Sequence, residues 1–168
     1  MKSSKNSLLR CAVAAALVLI HPVVDRANER NVLLSIYTDN VGVVFPSGRH
    51  LYAVVTTDGE MTYADRLNKE ITDRKRELTA TELSRLRAAV RDPNLREIHG
   101  TRSDKSRTHV DYQTSVIVTI TTGDASHEFT LVNYDEADGR YFPPGAKELL
   151  CTVDDLRQSS YRITRGCK

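Results

Sequence analysis

The chain has 168 residues, 40% of them apolar and 27% charged, with no Trp. That balance fits a folded domain and excludes a disordered or low-complexity protein. The formal net charge is +2, but the first 27 residues hold four of the 24 basic and one of the 22 acidic side chains, leaving 20 against 21. So even a remainder carries no electrostatic footprint for nucleic acid, and no nucleic-acid partner is expected.

Residues 1–10 carry Lys2, Lys5 and Arg10 and no acid, and Cys11 opens an unbroken apolar run that ends at Ile20 before His21-Pro22. A positive segment followed by about ten apolar residues is the pattern of a secretory leader. A membrane-spanning helix needs roughly twice that length, so no stable span is expected. The leader is placed at residues 1–27, with its cleavage point unmarked: no Ala-x-Ala follows the run, and a cut after Ala27 puts Asp25 at the third position before it. A buried strand or helix and an organellar transit peptide are the competing readings. Lipidation at Cys11 is disfavoured, because Leu8-Leu9-Arg10 precedes it and the apolar run follows it.

Beyond the leader, residues 31–37 read as a strand and 41–45 as a short second one, closed by Pro46-Ser47-Gly48. Residues 51–57 and 60–64 flank Asp58-Gly59, a two-residue hairpin signal. A two-residue turn there pairs Val54 with Tyr63 and Thr56 with Met61, so Tyr52, Val54, Met61 and Tyr63 share a face. Residues 66–78 are charged, include Arg74-Lys75-Arg76, and read as a solvated linker or helix face. The stretch 66–107 carries 12 basic against 7 acidic residues without an interleaved aromatic, so stacking on bases is unsupported.

Thr79-Ala80-Thr81-Glu82 is a capping box, with Leu78 placed to staple onto Leu83. Leu83, Leu86 and Val90 then recur at helical spacing until Pro93. Residues 99–108 read as a loop. Residues 112–122 alternate, with Val116, Val118 and Ile120 on one face; Gly123-Asp124-Ala125 turns the chain, and 127–134 return with Phe129 and Leu131. A loop over 135–145 leads into a last helix at 146–158, whose inner face holds Ala146, Leu149, Leu150, Val153 and Leu156. The order β-β-β-β-α-β-β-α, built from hairpins, predicts an α+β fold over residues 28–168: an antiparallel sheet of about four to six strands with two helices on one face.

On a helical wheel Cys151 lies about 160° from Val153, the centre of the apolar stripe. A thiol facing away from the core of an exported domain has reason to seek a partner, and Cys167 is the other cysteine outside the leader. We expect a Cys151–Cys167 disulfide that ties the tail over the outer face of the helix.

Familiar catalytic signatures are missing. The sequence contains no Gly-x-Ser-x-Gly, Walker loop, Gly-x-Gly-x-x-Gly, His-x-x-x-His or Cys-x-x-Cys. The acidic loop 133–139 fails the calcium-loop pattern: with Gly139 as the loop glycine, Tyr134 and Gly145 occupy ligand positions. His109 and Asp111 form an i, i+2 pair that reads as surface decoration rather than an oriented base. No metal or cofactor is expected. Arg140, Tyr141 and Phe142, on a loop stiffened by Pro143-Pro144, form a candidate binding loop. The competing reading tucks Phe142 beneath the last helix and lets Pro144 open it.

The hairpin at 54–63, Thr81-Glu82-Leu83-Ser84-Arg85-Leu86, the strand from Val116 to Gly123, Phe129-Thr130-Leu131 and the closing Leu149-to-Leu156 segment share a pattern. Over about residues 51–157 that pattern resembles the emfourin-like family, small bacterial domains typified by a metalloprotease inhibitor. The chain departs from it by the leader, an additional N-terminal strand region, a longer linker before the first helix and two late cysteines. The resemblance implies a non-enzymatic binding role and carries over no inhibitory residue. The expectation is therefore an exported, periplasmic or extracellular, non-catalytic binding or inhibitory module whose partner is another exported protein. A small hydrolase with a dispersed active site and a structural envelope component are the alternatives.

Overall fold

Alternating apolar residues lay down the centre of the fold. The computed structural model describes residues 31–42, 48–67, 70–103, 112–134, 142–164 and 167. Strand β1 (Val32–Gly42) buries Leu34 and Ile36 on one side and runs on through residues expected to start a separate strand. It lies between β2 (Gly48–Thr56) and β6 (Tyr112–Thr122), antiparallel to both. Strands β3 (Glu60–Leu67) and β4 (Glu70–Glu77) extend the sheet on one side. On the other side come β7 (Ala125–Val132) and β5 (Gly100–Ser103). Among the described residues the sheet has seven strands in the order β4-β3-β2-β1-β6-β7-β5.

Several expectations need correction. The sheet is mixed, not purely antiparallel, because β5 runs parallel to β7 with Gly100 opposite Phe129. Strand β5 lies within the stretch read as a loop, and β4 within the stretch read as a linker or helix face. The Asp58-Gly59 hairpin has a three-residue loop, so Ala53 faces Tyr63 and Val55 faces Met61, one step from the expected register. Gly59 adopts φ +103 and donates to the Thr56 carbonyl at 3.1 Å. A left-handed residue closing a three-residue loop is the usual alternative to the two-residue turn. Its missing Cβ also matters, since one would stand 3.3 Å from Leu83 Cδ2.

The one-step shift does not expel Tyr52. Between β1 and β2, Ile36 faces Ala53 but Tyr37 faces Leu51, so Tyr52 is an extra, bulged residue. A bulge re-aims a side chain, and both Tyr52 and Ala53 are fully buried.

Helix α1 (Ala80–Val90) begins at the expected capping box: Thr79 accepts from the Glu82 amide, and the Glu82 carboxylate accepts from the Thr79 amide at 2.8 Å. Pro93 ends the first helical run but opens a second, α2 (Pro93–Arg96), capped by Asp92. Helix α3 (Pro144–Arg157) starts on Pro144 at its first turn. There are thus three helices among the described residues, not two. Leu83, Leu86, Leu149, Leu150 and Val153 pack with Leu34, Val55, Val118 and Leu131 in one core between helices and sheet. No helix among the described residues is long and apolar enough to cross a membrane.

Candidate functional site

Helix α3 buries polar residues as well as apolar ones. Thr152, Asp154 and Arg157 are almost wholly buried, and the segment that follows the helix folds back onto Asp154 and Arg157. Asp154 accepts from the Tyr52 hydroxyl, the Thr164 hydroxyl and, at 2.9 Å, the Thr164 amide. The Tyr52 oxygen in turn accepts from the Ile163 amide at 3.0 Å. Burial pushes the Tyr52 phenol far above its ordinary value; Arg157 opposes this and Asp154 reinforces it. Tyr52 therefore stays a neutral donor.

The Arg157 guanidinium lies 3.6 Å from the Tyr52 ring centroid, with the Tyr63 and Tyr161 rings at 5.8 and 5.7 Å. It donates to the carbonyls of Ala64 and, at 2.8 Å, Tyr161, and lies 3.5 Å from Asp154. An isolated buried cation would be costly, but a paired, ring-stacked guanidinium is not isolated. Nearby, Ser159 donates to Asp65 at 2.6 Å, and Arg74 of β4 lies 2.8 Å from the same carboxylate. The Ser159 hydroxyl, then Arg74, holds the Asp65 carboxyl below its usual range. Each of these groups bonds another part of the chain. Their collective effect is to fasten residues 158–164 to helix α3 and to the bulge in β2.

Cys151 and Cys167 complete that fastening. They are joined by a disulfide, with Cα atoms 5.5 Å apart, in keeping with the wheel position of Cys151.

The candidate binding loop is less well placed. Phe142 is buried in the core with its ring centroid 5.1 Å from that of Tyr134, so it offers no exposed aromatic anchor. Arg140 and Tyr141 lie outside the described residues, as do the leader, His109, Asp111 and most of the acidic loop. His127 donates through Nε2 to the Leu95 carbonyl at 3.0 Å and meets His99 edge-on. It borders a shallow groove of about 350 Å³ floored by Val90, Leu95 and Ile120. Among the described residues no group of three or more His, Cys, Asp or Glu side chains converges as metal ligands would.

The sheet face opposite the helices presents a second candidate surface. Register places Thr62, Val54, Ser35 and Thr119 in one row across β3, β2, β1 and β6. Tyr37, Ile117 and Thr130 form the next. All seven are half-buried and none is charged. The charges lie around them. Lys75 and Glu128 end the first row, and Asp39 faces Arg49 beyond the second. Arg49 stacks on Tyr37, 4.3 Å from its centroid. Alternation along a strand marks its buried side, so no sequence signal distinguishes this face. In comparisons with known proteins, no family model matches the chain and no curated protein matches it.

Proposed function

We propose that the chain is an exported, non-catalytic binding or inhibitory module that holds another exported protein against the open face of its sheet. The observation that carries this reading is the uncharged centre of that face, built around Tyr37, Val54 and Ile117 and rimmed by Arg49, Asp39, Lys75 and Glu128. Depletion of charge at the centre, a polar rim, and tyrosine and arginine as anchors are the anatomy of a protein interface. The site is carried on a rigid sheet, so little is lost in ordering it on binding. The leader pattern and the Cys151–Cys167 disulfide support export. The emfourin-like resemblance points to binding rather than catalysis.

The test is capture from the exported fraction by immobilised protein. Wild-type protein and an Asp124→Lys control in the exposed β6–β7 turn should retain the same partner, and Val54→Arg and Ile117→Arg should lose it. Circular dichroism verifies that all four are folded. Failure to capture a partner, or capture unaffected by both open-face variants, refutes the assignment.

A further inference from the structure

Strand β4 is an edge strand of eight residues, hydrogen-bonded to β3 alone among the described strands. The Leu78 amide donates to the Gly59 carbonyl at 3.0 Å, which sets the parity of this ladder. With Met61 opposite Arg76 and Tyr63 opposite Arg74, the backbone groups of Ile71, Asp73, Lys75 and Glu77 then point away from β3. All four residues are exposed. Such a row of N–H and C=O groups, without a strand partner among the described residues, is a template for another strand.

We propose that β4 pairs antiparallel with β4 of a second copy, joining two sheets into one across a twofold axis at Arg74. Charges on an edge ordinarily discourage pairing, but here their order makes the edge self-complementary. In this register Ile71 faces Glu77, and Asp73 faces Lys75 of the second copy, twice by symmetry, with each Lys75 ammonium shared between that Asp73 and Glu60 of its own chain, 3.0 Å away. All four outward residues of each copy exchange backbone hydrogen bonds. The two Arg74 side chains that meet at the axis each lie 2.8 Å from their own Asp65 carboxylate, so the like charges arrive already paired. Shifting the register by one residue along each strand would set Asp73 against Asp73 or Lys75 against Lys75, which opposite-charge pairing rules disfavour.

Sedimentation velocity of the purified protein over a range of concentrations tests it. The expected result is a reversible dimer. Asp73→Lys and Lys75→Asp should each weaken it about tenfold, since two attractive cross-strand pairs become repulsive. The double variant D73K/K75D should return to near the wild-type dissociation constant. Amide hydrogen exchange gives a readout that needs no substitution. The amides of Ile71, Asp73, Lys75 and Glu77 should gain protection as concentration rises through the dimerisation range. A protein that stays monomeric throughout, a dimer indifferent to the single charge reversals, or outward amides unprotected in the dimer overturns the proposal.

Discussion

Arg157 stacks its guanidinium 3.6 Å from the centre of the Tyr52 ring and so joins the end of the last helix to the bulge in β2. The pair is fully buried, and Asp154 bonds the Tyr52 hydroxyl while lying 3.5 Å from Arg157. Removing the cation leaves the Asp154 carboxylate buried without its counter-charge. Arg157→Ala should therefore destabilise by about 3–5 kcal/mol, the range for breaking a buried pair from one side. Arg157→Lys should recover only part of this, because an ammonium cannot both stack on the ring and fork to two carbonyls. Urea unfolding midpoints of the three proteins check the order.

Tyr52 should make the stability of the fold depend on alkaline pH. Its folded-state pKa is raised, chiefly by burial, from an ordinary value of 10.0. Above that value the unfolded chain releases the phenolic proton while the folded chain keeps it, so stability falls as pH rises. Tyr52→Phe should cost about 1–3 kcal/mol at neutral pH through the unsatisfied Asp154 and Ile163 groups. The same substitution should flatten the loss of stability above about pH 10 relative to wild type. Equal slopes for the two proteins would contradict the assignment of this titration to Tyr52.

The disulfide should matter most for the tail. Cys151 and Cys167 are 16 residues apart, and closing a loop of that size stabilises by about 3 kcal/mol in the chain-entropy model. A Cys151→Ser/Cys167→Ser variant should lose stability of that order. It should also exchange the Ile163 and Thr164 amides faster, because these donate to Tyr52 and Asp154 only while the tail is down. Protein recovered from the exported fraction should be two protons lighter than its reduced form and resist alkylation until reduced. Two freely alkylated thiols in that fraction would refute oxidation there.

What was legible in the sequence was whatever rests on local chemistry. Thr79 and Glu82 announce a helix start because both partners of the capping box lie within one turn. Val116, Val118 and Ile120 announce a strand because one of its faces is buried. Strand β4 was illegible for the opposite reason: seven of its eight residues are exposed, so no alternation marks it. Strand β5 is four residues long and exposed throughout. The tail over the outer face of α3 follows from Cys151, but nothing local foretells that Asp154 and Arg157 are buried beneath it, because their partners Tyr52, Ala64 and Thr164 are brought in by the tertiary fold. Nor does any local signal mark Tyr52 as a bulge, since that depends on register with β1. The Cys151–Cys167 pair was the exception, a long-range feature exposed by one residue on the wrong side of its helix.

The start of α1 should be the acid-sensitive part of the fold. The Glu82 carboxyl is held below its ordinary range, first by the Thr79 amide and then by Arg76, which lies 2.7 Å away. Arg76 also donates to the Leu156 carbonyl at 2.7 Å, so this carboxylate helps hold β4, α1 and the end of α3 together. For a carboxyl with a depressed folded-state pKa, the stabilisation is complete above the ordinary carboxylate range and is lost as pH falls through the folded value. Wild-type thermal midpoints should therefore drop as pH is lowered from about 5 toward about 3. Glu82→Gln should be less stable than wild type at neutral pH and show a shallower acid slope. Thr79→Ala should cost about 1 kcal/mol at neutral pH through loss of the cap. Because the Thr79 amide remains in that variant, it should keep most of the acid slope. An acid slope unchanged in Glu82→Gln would place the sensitivity elsewhere, with Asp65 and its Ser159 and Arg74 partners the next group to test.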